Sequence, residues 1–373
     1  MIKKNKVVFF INNLQVGGAE RVVTTLLHHY NHEDKEVSLL VIEPIIEYPL
    51  DEKIKVTSLW KKPLSKNKAL RFLQLGWTLF KLLGYLQNHK VTKLISQLSI
   101  VNYLNIIAKR LGGGHQCYIS FHCAFQYYSK PTIKNRINKS LIRRLYPKSD
   151  LMISVSKNVM ESYRKEIGLG IPFVTIDNPF DFDYIETGER LTIDLPKKYI
   201  AILARLDPIK RHSDLIKAYA KLNDNVKQDI DLCIIGEGPQ KASLKALTAQ
   251  LGLDQKVHFL GQLPNPFAVL KKAEVLCLSS ENEAFPMALV EAMICKTAVI
   301  ASDCNYGPDE ILDHGECGLL YPVGDIEKLK EGLEFLVTNH RERAEYIEKA
   351  YKKVKQFDVQ VVGETYWEQV ISR

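Results

Sequence analysis

The sequence predicts an α/β protein with two Rossmann-like domains, each a parallel sheet covered by helices. Its 373 residues exceed what one hydrophobic core usually serves. Short apolar runs alternate with helix-period segments along both halves, a pattern typical of parallel sheets. A polar stretch, 181–198, interrupts this alternation and reads as an interdomain linker. In such doubly wound folds the ligand lies at the carboxyl ends of the strands, so we expect a site in the cleft between the halves.

The first half begins with a strand at 7–11 and a helix at 19–30. A basic, apolar segment at 70–83 and another at 134–146 are predicted to be helical. The run at 7–11 is too short for the core of a signal peptide. Further strands are predicted at 37–42, 56–59, 94–95, 118–121, 151–155 and 173–177.

The second half repeats the alternation, with a final helix at 360–371. Its strands are predicted at 199–203, 230–235, 257–260, 276–278, 298–301 and 318–321, and its helices at 212–222, 240–250, 266–271 and 286–294.

Composition excludes several classes of protein. The chain is 46% hydrophobic and 25% charged, as in ordinary globular proteins. Its seven cysteines include no CxxC pair, which argues against a disulfide framework or a zinc site and favours a reducing cytoplasm. No run approaches 18 uncharged apolar residues, so no membrane-spanning segment is expected.

Charge is distributed unevenly. Residues 51–150 hold 19 Lys and Arg against 3 Asp and Glu, whereas 301–350 hold 5 against 12. Within the basic region, Trp and Phe are interleaved with Lys and Arg, which predicts docking on an anionic membrane surface. Alternatively, the apolar faces pack on the sheet and the charges are simply solvated. Nucleic acid is not expected as a partner, because no zinc finger or RNP motif is present.

The most informative motif is a pair of glutamates, Glu283 and Glu291, at a strand-to-helix junction. Pro286 suits a first helical position, and a helix N-terminus can hold a phosphate. Eight helical residues rise about 12 Å, roughly the span of a nucleotide sugar. Glu283 could therefore accept hydrogen bonds from sugar hydroxyls while Glu291 accepts from ribose. The alternative is two surface glutamates at an ordinary helix start.

Two loops carry groups suited to anions. Gly17-Gly18 follows the first strand and opens a helix, although the GxGxxG fingerprint is absent. Arg205 and Lys210 follow a strand of the second half, where they could clamp a diphosphate. The alternatives are a tight turn and solvent-exposed charges.

Two weaker signals also stand at strand ends. The glycines around Glu237, Gly236 and Gly238, would let a nucleotide approach closely. His122 could bond a hydroxyl or, when protonated, a phosphate, or it could be a structural histidine.

The order of these motifs is more specific than any one of them. GGAERVV, SFH, ARLDPIKR, GEGP, ENEAFPMALVEAM and SDCNYGPDEI together resemble the retaining glycosyltransferases of family 4, which have the GT-B fold. The resemblance assigns Glu283 to the donor sugar, Glu291 to ribose, and Arg205 and Lys210 to the diphosphate. His122 and Glu283 would join that basic pair as the catalytic set. The donor- and nucleotide-binding set would be Gly17, Gly18, Gly236, Glu237, Phe285, Pro286, Met287, Ala288 and Glu291, with Gly17-Gly18 on the acceptor side.

The resemblance also implies an organisation and a reaction. Residues 1–182 would bind acceptor, 183–198 link, 199–355 bind the nucleotide sugar, and 356–373 cross back to the first domain. A hexose or N-acetylhexosamine would pass from a UDP-sugar, without metal or cofactor, to a glycan on polyprenyl diphosphate or a lipopolysaccharide core. The enzyme would work in the cytoplasm, peripheral on the inner face of the membrane. An epimerase of the same fold and a non-catalytic nucleotide-sugar-binding membrane protein are the alternatives.

The sequence departs from the family pattern at two positions. Ala204 and Ala284 stand where the family usually has glycine. Each adds a methyl group beside the donor, and Ala284 could bias the choice of sugar.

Overall fold

The computed structural model describes residues 6–15, 17–33, 35–168, 170–188 and 194–373. The chain divides into two compact units. One comprises Met1–Phe180 with Val359–Arg373, and the other is Asp181–Asp358. Each unit has its own parallel sheet and its own core.

The first unit is built on a seven-stranded parallel sheet in the order β3-β2-β1-β4-β5-β6-β7. Strand β1 lies inside the sheet, is fully buried, and pairs with β2 on one side and β4 on the other. The chain order reverses between β1 and β4. The strands are β1 (Val7–Ile11), β2 (Val37–Val41), β3 (Lys55–Ser58), β4 (Lys93–Gln97), β5 (Gln116–Phe121), β6 (Leu151–Ser154) and β7 (Phe173–Thr175).

In the described residues up to Phe180, five α-helices belong to this unit. The two predicted basic segments are helical, as α2 and α4. Asn67 caps α2 by accepting from the N–H groups of Ala69 and Leu70, at 3.0 and 3.3 Å. The helices are α1 (Gly18–His32), α2 (Lys68–His89), α3 (Ser99–Arg110), α4 (Ile133–Leu145) and α5 (Lys157–Ile167).

The predicted linker, 183–198, is wrong in its first part. Residues Phe182–Thr187 form helix α6, which belongs to the second unit. The Asp181 carboxylate caps it by accepting from Tyr184 N–H at 2.9 Å, and the Tyr184 ring meets Phe267 at 5.7 Å. A single helical turn is too short to show a period in sequence. Residues 189–193 of the predicted linker lie outside the described residues.

The second unit has a six-stranded parallel sheet in the order β10-β9-β8-β11-β12-β13. The chain order reverses between β8 and β11. The strands are β8 (Tyr199–Leu203), β9 (Asp231–Ile235), β10 (Val257–Gly261), β11 (Val275–Leu278), β12 (Ala298–Ser302) and β13 (Leu319–Tyr321). The helices after α6 are α7 (His212–Ala220), α8 (Asp224–Asp229), α9 (Lys241–Gln250), α10 (Phe267–Leu270), α11 (Met287–Ile294), α12 (Pro308–Ile311), α13 (Ile326–Thr338) and α14 (His340–Val354).

The C-terminal segment returns to the first unit, as the predicted fold class requires. Helix α15 (Val359–Tyr366) continues into a π-helical turn, Trp367–Ile371. Tyr30 donates from its hydroxyl to the carbonyl of Gly363 at 2.9 Å. The buried Lys93 ammonium donates to the last two carbonyls of this turn, Val370 at 3.0 Å and Ile371 at 2.7 Å. These contacts fix the end of the chain on the first sheet. In the described part of the chain, no helix is both long and apolar enough to cross a membrane.

Candidate functional site

Four loops of the second unit leave the carboxyl ends of neighbouring strands. Residues 204–211 follow β8, 236–240 follow β9, 279–286 follow β11 and 303–307 follow β12. Strands β8 and β11 are adjacent but not consecutive, so their loops diverge at the topological switch point. This is where open α/β sheets bind ligands.

Lys210 and Glu283 meet at this point. The Lys210 ammonium lies 2.6 Å from Glu283 Oε1, and Ser280 donates from its hydroxyl to the same oxygen at 2.6 Å. Ser279 donates to the carbonyl of Lys210 at 2.8 Å, which joins the two loops. Glu283 is 9% exposed. The sequence predicted both charged residues but not their direct ion pair or its two serines.

The loop after β12 packs against the same segment. Ser302 donates from its hydroxyl to the carbonyl of Ser280 at 2.6 Å. A Cβ on Gly307, whose φ is 96°, would lie 2.7 Å from Pro286 Cδ, so a side chain is excluded there. Burial, and secondarily the Glu283 charge, raises the pKa of Cys304 to about 12. Cys304 is therefore a neutral thiol beside these loops.

Arg205 does not share this arrangement. Its side chain is 75% exposed and forms an ion pair with Asp207. The two residues of the predicted basic pair therefore differ: Lys210 is held by Glu283, whereas Arg205 is exposed at the edge of the site. Joint binding of a diphosphate by the two stays a prediction.

Helix α11 carries the second glutamate. Glu291 is 3% exposed, so the two glutamates are buried rather than the surface residues of the alternative interpretation. Pro286 is the N-cap, with ψ 92°, and the helix begins at Met287. The prediction that Pro286 occupies the first helical position is therefore wrong by one residue, because its backbone is still extended. Phe285 packs its ring on Phe357 at 5.4 Å, so a ligand would meet its backbone.

The glycines after β9 have a structural explanation. A Cβ on Gly236, at φ 142°, would lie 2.1 Å from the carbonyl oxygen of Ala204, and one on Gly238 would lie 2.7 Å from Leu206 N. Both glycines allow the loops after β8 and β9 to pack closely. Glu237 pairs locally with Lys241 at 2.5 Å. Contact of Gly236 and Glu237 with a nucleotide stays a prediction.

In the first unit, the glycine loop already faces a carboxylate. A Cβ on Gly17 would lie 2.3 Å from Glu20 Oε2, so Glu20 folds back over the start of α1, whose first residue is Gly18. Burial raises the pKa of Glu20. The Tyr48 hydroxyl accepts from Gly17 N–H at 3.2 Å and donates to Gly17 O at 3.1 Å. A nearby carboxylate suits a hydroxyl ligand better than a phosphate.

His122 follows β5, as predicted, at the carboxyl end of the first sheet. Its Nε2 lies 2.7 Å from Gln97 Oε1 and 3.5 Å from Ser120 Oγ. An amide oxygen can only accept, so Nε2 donates and Nδ1 is the basic nitrogen. Burial lowers the pKa of His122 to about 4. The neutral ring suits a hydroxyl, and the alternative contact of a protonated ring with a phosphate stays a prediction.

Sequence reasoning missed the polar residues that hold the site together. Ser279, Ser280 and Ser302 stand at strand ends, and this position is the one signal that could have singled them out. Within the described ranges, no group of three or more His, Cys, Asp or Glu side chains is placed to hold a metal ion.

Comparison with known proteins places the chain in a family. The glycosyltransferase family 4 model matches residues 16–184, and the glycosyl transferases group 1 model matches 183–353. A Campylobacter jejuni protein, N-acetylgalactosamine-N,N'-diacetylbacillosaminyl-diphospho-undecaprenol 4-alpha-N-acetylgalactosaminyltransferase, is 33% identical over 95% of this chain and 96% of its own. The chain belongs to glycosyltransferase family 4. The predicted family and the predicted glycosyltransferase activity are therefore confirmed.

Two further proteins are similar to this family-4 glycosyltransferase. The C. jejuni GalNAc-alpha-(1->4)-GalNAc-alpha-(1->3)-diNAcBac-PP-undecaprenol alpha-1,4-N-acetyl-D-galactosaminyltransferase is 29% identical over 97% of each chain. The crystal structure of Anabaena HepE in complex with UDP and glucose superposes with a TM-score of 0.81 at 19% identity, covering 99% of this chain and 100% of HepE. This likeness confirms the predicted GT-B fold class.

Proposed function

We propose that this glycosyltransferase moves an N-acetylhexosamine or hexose from a UDP-sugar to a hydroxyl of a glycan carried on polyprenyl diphosphate. The observation that carries the proposal is the Lys210–Glu283 pair, with its buried carboxylate, at the switch point of the second sheet. The names of the two Campylobacter relatives, both N-acetylgalactosaminyltransferases of undecaprenol-linked glycans, support the acceptor class. The UDP and glucose of the HepE complex support the donor class.

The pair suggests how donor binding begins. Lys210 and Glu283 neutralise each other at 2.6 Å, so neither charge is uncompensated in the buried site. A diphosphate carries more negative charge than one carboxylate and would compete for the lysine. Glu283 would then accept from a sugar hydroxyl while still held by Ser280 at 2.6 Å. Arg205, exposed at the rim, can turn toward the same diphosphate.

Transfer with retained configuration then requires attack from the face that the leaving group vacates. The departing UDP oxygen gains negative charge as the glycosidic bond breaks. Lys210, Arg205 and the N-terminal turn of α11 would stabilise that charge, and the phosphate oxygen would take the proton of the acceptor hydroxyl. Neutral His122 would accept a hydrogen bond at Nδ1 from a substrate hydroxyl.

We also propose that the enzyme works on the inner face of the cytoplasmic membrane. The basic balance of residues 51–150, 19 cationic against 3 anionic side chains, would attract anionic lipid and the acceptor's own phosphates. Polyprenyl-linked acceptors are confined to a membrane, so such attraction raises their local concentration.

The test is incorporation of label from radiolabelled UDP-sugars into lipid extract by the full chain. Label that enters the organic phase supports transfer. A new UDP-sugar formed without acceptor indicates the epimerase, and binding without turnover indicates a non-catalytic protein; either result overturns the proposal.

The site assignment is tested in the same assay with Glu283→Gln. This variant keeps the shape but removes the charge, and we expect transfer to fall about 10²- to 10³-fold because the sugar contact and the Lys210 partner are both altered. Glu334→Gln is the matched control, since Glu334 also pairs with a lysine, Lys330 at 2.8 Å, and is 15% exposed, but lies on α13 outside the candidate site. Full activity of the Glu283 variant would contradict the assignment.

A further inference from the structure

Helix α2 of the first unit carries an exposed face of large apolar side chains. Leu70, Leu73, Trp77 and Phe80 recur at intervals of three and four residues, which places them on one side of the helix. They are 50%, 68%, 58% and 65% exposed. Phe72, at the margin of this face, is 77% exposed. These five residues define the α2 apolar face.

This face is not the side that anchors the helix. The core-facing side consists of Thr78, Leu82, Tyr85 and Leu86, all buried. Gly76 and Gly84 stand on the exposed side, where an added Cβ would meet nothing within 4 Å. The helix therefore has two apolar sides, one covered by the unit and one open.

No charged side chain interrupts the face. Between Ala69 and Gly84 the charged residues are Arg71 and Lys81. Arg71 lies 3.9 Å from the buried Glu43 carboxylate, and Lys81 donates to the carbonyl of Leu59 at 2.9 Å. Both cations thus turn toward the unit, and the exposed side is left uncharged.

Exposed lysines border the face at its N-terminal end. Lys61 and Lys62 lie on a loop that is fixed to α2, because Trp60 donates from Nε1 to Thr78 Oγ1 at 2.9 Å. On the other side of the two lysines, Leu64 N–H donates to Glu43 at 2.8 Å. Lys66 and Lys68 are exposed at the start of the helix. Lys66 and Lys68 therefore lie next to the N-terminal end of the face, and Lys61 and Lys62 lie on a loop that is fixed to the covered side of the same helix.

We propose that the α2 apolar face inserts into the headgroup–acyl boundary of an anionic bilayer, with these lysines on the headgroups. The role of this contact in transfer rests on the proposed function, whereas the observations that support insertion do not. Contiguous exposed apolar surface marks an interaction site, and Trp favours the membrane interface. Aromatic side chains that enter the bilayer add a hydrophobic contribution to the binding free energy, which charge alone does not supply.

Charge favours a bilayer over a second copy of the chain. A contact between two copies of this basic region, with 19 cationic and 3 anionic side chains in residues 51–150, would oppose like charges, which disfavours association. An anionic surface neutralises them instead. Glu43 also accepts from Asn12 at 3.0 Å, immediately after β1, so α2 is tied to the end of that buried strand. Insertion would orient the whole first unit on the membrane.

Quenching of tryptophan fluorescence by brominated lipid tests insertion directly. The full chain is titrated with vesicles of phosphatidylglycerol and phosphatidylethanolamine that carry bromine on the acyl chains. Trp77 is 58% exposed on the inserting face, so its emission should be quenched. Trp77→Phe should bind equally but lose most of the quenching. Trp77→Gln/Phe80→Gln should bind on the order of tenfold more weakly.

The matched control is Val361→Gln, an exposed apolar residue on α15 of the same unit, which should leave binding unchanged. Absence of quenching, or wild-type vesicle binding by the Gln/Gln variant, overturns the proposal. A dimer that this variant converts to monomer, with vesicle binding unaffected, also overturns it and assigns the face to a second copy. Transfer to a short, water-soluble acceptor analogue should persist in the variant. If neither the wild type nor any variant transferred sugar to the analogue, the result would count against the proposed function and not against insertion.

Discussion

The ion pair of Glu283 and Lys210 matters because a bound anion could take the place of the Glu283 carboxylate on the lysine. Removing the two charges from water costs free energy. Their attraction at 2.6 Å, with the serine hydroxyl on the same carboxylate oxygen, largely offsets that cost. Removing one partner leaves the other charge buried and uncompensated. In the proposed function a diphosphate would take over the lysine. Glu283 would then be held by Ser280 and by hydroxyls of the donor sugar.

His212 makes a prediction about pH. It is fully buried at the start of α7, and burial, helped by Lys210, lowers its pKa to about 4. The unfolded chain binds a proton near pH 6.5, so between 6.5 and 4 the unfolded state holds more protons and stability falls as pH falls. His212→Leu should remove on the order of 2 kcal/mol of the loss in stability between pH 7.5 and pH 5.

Chemical denaturation of both proteins at pH 7.5 and pH 5 measures the difference. The unfolding free energies of wild type and His212→Leu should diverge at pH 5, in favour of the variant, relative to their difference at pH 7.5. Parallel pH profiles would show that His212 titrates alike in both states.

At the scale of elements, the sequence predicted each of the thirteen strands in the described part of the chain, because nearly all of them are short apolar runs between turns. It did not find α6, a six-residue helix whose evidence is a cap at Asp181 and a ring contact with Phe267. It also could not decide which side of α2 is covered. Both sides are apolar, and the choice is made by tertiary packing of Leu82 and Tyr85.

The candidate site likewise has features that the sequence could predict and features that it could not. Glu283, Lys210 and Glu291 were predictable from charged residues at strand ends and helix starts. The requirement for Gly236 was assigned to a ligand, but the contact that demands it is the backbone of Ala204. A close approach between two loops more than thirty residues apart leaves no local pattern in the sequence.

Lys93 makes a prediction for the C-terminal helix. Burial lowers its pKa, and its ammonium holds the carbonyls of Val370 and Ile371. Lys93→Met should leave both carbonyls without this donor and destabilise the docked segment by about 1–3 kcal/mol. Hydrogen exchange should accelerate in Val359–Tyr366 and not in β11. Arg164→Met, which breaks a surface pair with Glu161, is the control and should change neither. Unchanged exchange in α15 would contradict the role of Lys93.

For the whole molecule, we propose that the second unit binds the donor and that the first unit binds the acceptor and attaches to the membrane. The second unit holds the buried pair at its sheet's switch point, and the first holds the basic surface and the α2 apolar face. A glycosyltransferase acting on lipid-linked glycans needs both a donor site and a membrane-directed surface. Substitutions on α2 should therefore change transfer to lipid-linked acceptor far more than transfer to a soluble analogue.

The central claim is that Lys210 and Glu283 act together on the donor, and a double-mutant cycle on kcat/KM for transfer tests it most directly. Lys210→Met and Glu283→Gln should each lower kcat/KM about 10²- to 10³-fold, and the double variant should be little worse than either. Lys221→Met, which removes an exposed pair with Glu327, should leave kcat/KM unchanged. Single variants within threefold of wild type, or losses that simply multiply, would contradict the account.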